Sequence, residues 1–288
     1  MRLCYLGTPE LAVGPLRALV EAGHEVVLVV SRRDARRGRG SALVPSPVKQ
    51  AALELGLEVT DQVDAVASCG AELGVVVAYG RLVPESVLDV VPMVNLHFSL
   101  LPRWRGAAPV ERAILAGDAV TGVALMALEA GLDTGGIYDL ATVEVGDASL
   151  ETLRGQLVDL GTQLLLRRLE GGLAGLGTPV PQEGEVTYAH KIEPAELLLD
   201  LERPAVEVAR VIRLGRAYTF DGGRRLRILD AAVRPEVALS PGVLDGILLG
   251  CGQGSLELRR VQPEGRAEMA AADWGRGRRH GGPLGTAG

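Results

Sequence analysis

The sequence predicts an α/β body on a predominantly parallel sheet, followed by a smaller all-β domain. Three observations carry this expectation. The chain opens strand–helix–strand, with RLCYLG (2–7), an amphipathic stretch reaching Gly23 and the β-branched run HEVVLVVS (24–31), which is the pattern of parallel strands joined by a crossover helix. LGVVVAYG (73–80) reads as a buried central strand of the same sheet. Past residue 204 the pattern changes to short strands parted by Gly-rich turns, RRLRILDAAV, GVLDGILLGCG and SLELRRVQP, which suggests a small β-barrel.

The individual elements follow from local chemistry. Thr8 is placed to cap a helix whose first residue is Pro9, and Gly23 ends it. The first turn, GTPEL, lacks G-x-G-x-x-G, so a nicotinamide enzyme is disfavoured. RRDARRGRGSALVPSPVK (32–49) is too rich in Arg, Gly and Pro for a regular element and reads as a long exposed loop. Ser46 and Pro47 then open a helix. A short polar helix around residues 61–72 precedes the central strand, and VPESVLDVV is helical after it. MVNLHF (93–98), TGVALMAL (121–128) and IYDLATVEV (137–145) are strands, residues 107–116 are helical, and 149–172 is a long amphipathic helix. LGTPVPQEGEVTYAHKIEPAE (176–196) has no period and reads as a linker, and PAVEVARVIRLG (204–215) as a helix. GRGRRHGGPLGTAG at the end is expected to be disordered. The expected division is a first, α/β domain over 1–175, a linker over 176–203, a second domain over 204–274 and a disordered tail over 275–288.

Composition excludes several classes of protein. No apolar run approaches the roughly 18 residues of a membrane span, and MRLCYLGTPEL reads as a first strand, with a signal peptide disfavoured. Cys4, Cys69 and Cys251 form no metal-ligand or disulfide spacing, so no metal is expected and the cytoplasm is the expected home. The net charge of −6 hides an asymmetry. Residues 203–288 carry 14 Arg against 9 acids, a balance of +5, which suggests an anionic partner for the C-terminal part.

One stretch gathers scarce groups: VNLHFSLLPRWRG (94–106) brings Asn, His, Ser, two Arg and one of only two Trp together past a strand end. Ligands of open α/β sheets bind outside the carboxyl ends of parallel strands. AYG (78–80), NLHFSLLP (95–102) and GLDTGG (131–136) are expected to converge there. Alternation along a strand puts Asn95 and His97 on one face, and Asp133 follows in a Gly-flanked loop. An imidazole can move a proton, a carboxylate can orient it, and an amide can donate to an oxyanion. With no G-x-S-x-G elbow and no well-placed Cys, direct acyl transfer is favoured over a covalent intermediate. Taken alone, the same residues could be a satisfied histidine, a turn former and a cap.

The ordered set of motifs goes further. NLHFSLLPRWRGAAPVERAILAGD with GLDTGGI resembles the folate-dependent formyltransferase family, whose pattern is Asn-x-His, SLLP, RG and an Asp in a GxDTG loop. GTPELA, GRGSALVPSPVK, VVVAYG and TYAHKI resemble its tRNA-formylating members in the same order. The resemblance implies a Rossmann-like formyltransferase domain and an OB-like β-barrel domain. It implies transfer of the formyl group of 10-formyltetrahydrofolate to the α-amino group of methionyl initiator tRNA. By position, Asn95, His97 and Asp133 would be catalytic, and Ser99, Leu100, Leu101 and Pro102 would line the folate site. Arg39 matches a basic position of the family's tRNA-binding loop, with Arg36 and Arg37 as further phosphate contacts. The rival within the family is formylation of a small amine, a sugar nucleotide or glycinamide ribonucleotide. A rival of another class is a Rossmann-like body fused to an RNA-binding barrel without catalysis.

Overall fold

A computed structural model describes residues 1–36, 43–278 and 281–285. The chain parts into two compact units. The first comprises Met1–Pro109, Val120–Glu144 and Arg154–His190; the second comprises Val110–Ala119, Val145–Leu153 and Lys191–Gly288.

In chain order the first unit begins with β1 (Arg2–Gly7), α1 (Val13–Glu21) and β2 (Glu25–Val30). The helix starts later than the sequence suggested. Residues Glu10–Ala12 form a 3-10 turn instead, and Thr8 Oγ1 donates to the Tyr79 carbonyl at 3.2 Å without capping anything. Pro15 explains the delay. It has no N–H to give an earlier turn, but it is tolerated in the first turn of a helix that begins at Val13.

The Arg-rich stretch is not all loop. Ala35–Arg36 (β3) pairs antiparallel with Leu43–Val44 (β4). In α2 (Pro47–Glu54), the Ser46 hydroxyl accepts from the Lys49 N–H at 3.0 Å, the cap expected from sequence. Then come β5 (Val59–Thr60), a 3-10 turn at Val63–Ser68, β6 (Leu73–Val77), α3 (Glu85–Leu88) and β7 (Met93–His97). After β8 (Arg105–Gly106) the chain passes through α4 (Pro109–Ala116), which from Val110 on belongs to the second unit, and returns with β9 (Val120–Ala127) and β10 (Ile137–Glu144). The helices α5 (Leu150–Leu169) and α6 (Leu173–Leu176) and the short β11 (Tyr188–Ala189) follow.

Seven strands form the main sheet in the order β10-β9-β7-β6-β1-β2-β5. β5, β2, β1, β6 and β7 are mutually parallel, and β9 and β10 run antiparallel. Every residue of β6 and β7 is buried, as parallel strands covered on both faces must be. Gly74 is required there: a Cβ would lie 2.7 Å from the Met93 side chain across the strand pair.

Up to His190, the segment read as a linker is built into this unit. Val180 and Ile137 exchange backbone hydrogen bonds of 2.7 and 2.8 Å. Further on, β11 pairs parallel with β8 through Tyr188–Arg105 and Ala189–Gly106. The segment shows no period because the pairing is backbone to backbone and leaves little mark on side-chain pattern.

In the second unit, α7 (Ala205–Ile212) packs on β13 (Arg224–Arg234) and β16 (Ser255–Pro263), and the other strands are β12 (Tyr218–Asp221), β14 (Leu244–Asp245), β15 (Leu248–Gly250) and β17 (Met269–Ala270). α8 (Ala271–Gly277) follows. The strands make one antiparallel sheet, β12-β13-β16-β15-β14, with β17 added beside β16. Register shifts at Ile228–Ala231 bend the long β13.

The ending expected to be disordered is ordered over residues 281–285. Leu284 is 3% exposed within the core of this unit, and Phe220 and Gly285 exchange backbone hydrogen bonds of 2.9 and 3.1 Å. One leucine in a Gly-rich stretch suffices because the edge of β12 supplies backbone partners.

Candidate active site

The site grows from the carboxyl end of β7. His97 is its last residue and only 5% exposed; Asn95, two residues earlier and on the same face, is 8% exposed. The chain then turns sharply. Ser99 Oγ donates to the Arg103 carbonyl at 2.6 Å, and Trp104 takes a left-handed backbone, φ 65°. That conformation costs a non-glycine residue about 1–2 kcal/mol. It brings the Trp104 carbonyl oxygen 2.8 Å from His97 Nε2. A carbonyl can only accept, so Nε2 carries the hydrogen in either charge state of the ring. The nitrogen free to gain or lose a proton is Nδ1.

Nδ1 faces Asp133, whose Oδ2 lies 3.7 Å away; the two side chains are 6% and 12% exposed. This is beyond a hydrogen bond but within ion-pair reach. The same Oδ2 accepts from the Gly106 N–H at 2.7 Å, which orients the carboxylate. Asp133 is itself left-handed, φ 51°. Among described residues only Ala78, Trp104 and Asp133 combine a positive φ with a side chain, and two of these three build this contact. Such strain clusters at functional sites.

The route of Asp133 to His97 differs from expectation. Because β9 is antiparallel to β7, its final residue Ala127 pairs with Val94, while His97 pairs with Ala124. The loop after β9 therefore leaves the sheet about 10 Å from His97 along the strand, at the opposite end from the one assumed. It doubles back to deliver the carboxylate. Gly135 permits this, since a Cβ there would lie 2.0 Å from the Ala127 carbonyl oxygen.

Two other residues hold these loops: Gln182, which carried no local signal in the sequence, and Thr187, which opens the TYAHKI motif but was given no role there. Gln182 donates to the carbonyls of Asp133 and Gly135, each at 2.8 Å. Thr187 Oγ1 accepts from the Trp104 N–H at 2.9 Å. Both belong to the segment read as a linker.

Residues 1–169 match the family model described as "Formyl transferase", and residues 191–279 match "Formyl transferase, C-terminal domain". The chain belongs to the formyl transferase family. It is 43% identical to a methionyl-tRNA formyltransferase of Arthrobacter sp. (strain FB24), over 96% of this chain and 97% of that one. In fold it is similar to a methionyl-tRNA formyltransferase from Clostridium thermocellum, with TM-score 0.60 and 16% identity over 82% of this chain and 95% of that chain. It is also similar to HypX from Aquifex aeolicus in complex with tetrahydrofolic acid, with TM-score 0.69 and 18% identity over 95% of this chain and 46% of that chain. The α/β body with its C-terminal antiparallel domain is thus the formyl transferase architecture.

Ser99 and Leu101 are buried, and Leu101 packs with Ala124, Met126 and Ile137. Leu100 lies against Gly122, where a Cβ would come within 2.4 Å of its Cδ2. Pro102 is buried too. These side chains support the loop from within, so contact with a flat ligand would fall to its backbone groups. Arg36 is exposed in β3; Arg37 and Arg39 lie outside the described residues. No cluster of His, Cys, Asp or Glu able to hold a metal occurs among the described residues, and no described helix is long and apolar enough to cross a membrane.

Proposed function

We propose that this protein transfers the formyl group of 10-formyltetrahydrofolate to the α-amino group of methionyl initiator tRNA, giving N-formylmethionyl-tRNA. The supporting observation is the 43% identity to a methionyl-tRNA formyltransferase across both domains, over 96% of this chain. The His97–Asp133 pairing fits it. The uncharged amine attacks the formyl carbon, and a carbon–nitrogen bond forms. The resulting oxyanion accepts from the Asn95 amide and from protonated His97 Nδ1. The carbon–N10 bond then breaks as Nδ1 gives its proton to N10, so tetrahydrofolate leaves neutral, and the proton lost by the amine restores the Nδ1–H. Asp133 orients and compensates the imidazolium during this exchange. No covalent enzyme intermediate is needed. Ser99, Leu100, Leu101 and Pro102 form the wall of the folate site chiefly through their backbone, and Arg36, Arg37 and Arg39 bind tRNA phosphate. Such a reaction belongs with translation in the cytoplasm.

The test is direct. The protein is mixed with 10-formyltetrahydrofolate and either methionyl initiator tRNA or small amines, a sugar-nucleotide amine and glycinamide ribonucleotide among them. Formylmethionine on the tRNA is the expected product. Formylation of a small amine alone, or no transfer, overturns the reading.

A further inference from the structure

Gln182 makes four hydrogen bonds with one side chain. Its Oε1 accepts from Arg105 Nε at 3.1 Å and Nη2 at 2.7 Å, and its Nε2 donates to the carbonyls of Asp133 and Gly135, both at 2.8 Å. That uses both donors and both lone pairs of the amide. Asp133 is thereby tied twice to the same dipeptide. Its backbone reaches Arg105 through Gln182, and its carboxylate reaches the Gly106 N–H directly at 2.7 Å. The segment bearing Gln182 is fastened on both sides, at Val180 to Ile137 and at Tyr188–Ala189 to β8. The amide therefore arrives in place with little freedom left to lose.

We infer that Gln182 is a positioning residue for the reaction: it holds the strained Asp133 turn on Arg105, and so keeps the carboxylate opposite His97 Nδ1. The inference rests on the proposed formyl transfer for its kinetic readout. An amide is the group that can do this, since a carboxylate cannot donate to two carbonyls and a cation cannot accept from a guanidinium. Releasing the amide frees a left-handed aspartate that has its own reason to relax, and a shift of about 1 Å at a reacting group can cost about a hundredfold in rate.

A double-mutant cycle tests this. Gln182→Ala should lower kcat about ten- to hundredfold and leave KM for both substrates within about twofold. In an Asp133→Asn background the same change should have almost no further effect, because a residue acting only through Asp133 has nothing left to position. Gln182→Glu, which can still pair with Arg105 but cannot donate, should lose kcat like the alanine variant; it takes the alanine's place in the cycle should Gln182→Ala not fold. Losses that multiply, a change confined to KM, or a fully active Gln182→Glu would overturn the inference. A second readout needs no activity. Amide exchange at Gly106 should speed up about tenfold or more in either variant, while Leu96 in β7 stays protected; unchanged Gly106 protection would also overturn it. Wild-type protein that fails to formylate initiator tRNA would reject the proposed function, leaving the exchange measurement to decide the role of Gln182.

Discussion

The Trp104 carbonyl oxygen fixes the hydrogen of His97 on Nε2, at 2.8 Å, and so leaves Nδ1 as the nitrogen that faces Asp133. Nitrogen NMR of the ring should report the Nε2–H form when it is neutral. His97→Ala should lower kcat by about 10²–10⁴ and Asp133→Asn by about 10² or more, with melting temperatures nearly unchanged. Near-normal turnover in either variant would remove that residue from the chemistry.

Gly135 lets the Asp133 loop close on the end of β9. A methyl group there would sit 2.0 Å from the Ala127 carbonyl oxygen, and backbone cannot move aside as a flexible side chain can. Gly135→Ala should destabilise the first unit by about 1–3 kcal/mol and lower kcat as well. A variant with wild-type melting and wild-type rate would contradict the crowding.

Leu284 anchors the C-terminal segment in the core of the second unit at 3% exposure. Leu284→Ala should cost that unit about 2–5 kcal/mol, read as a lower midpoint in urea. Amide exchange at Phe220 and Gly285, which bond to each other, should quicken. An unchanged midpoint would mean the segment contributes nothing to the fold.

Glu196 and Arg112 form a two-pronged ion pair in the second unit, at 2.5 and 3.1 Å. The hydrogen bonds from Arg112 outweigh partial burial and hold the Glu196 carboxyl below its usual range. A group depressed in the folded state adds stability that is complete above the unfolded pKa, about 4.3, and fades as pH falls through the lower folded value. The carboxylate is 36% exposed, so the contribution is discounted for solvent screening to about 0.5–1 kcal/mol. Glu196→Gln should therefore unfold earlier in urea at pH 7 and match wild type near pH 3. A gap that persists at pH 3 would point to packing rather than charge.

What the sequence determined by itself was the material that is local or periodic. The apolar runs at 26–30, 73–77 and 93–97 became largely buried strands because alternation and apolarity leave them no other stable place. Ser46–Pro47 became a cap because its chemistry is complete within four residues. The motif order also pointed to the formyl transferase family, which the matches over 1–169 and 191–279 bear out. Tertiary structure alone decided what depends on pairing between distant backbones. The sequence has no mark for the antiparallel course of β9, which sends Asp133 back along β7. Nor does it mark the docking of 180–189 that brings Gln182 and Thr187 to the site, or the shelter that one strand edge gives Leu284. Main-chain donors and acceptors are the same in every residue but proline, so partners chosen through them cannot be read from side chains, and a folded chain is needed to show which meet.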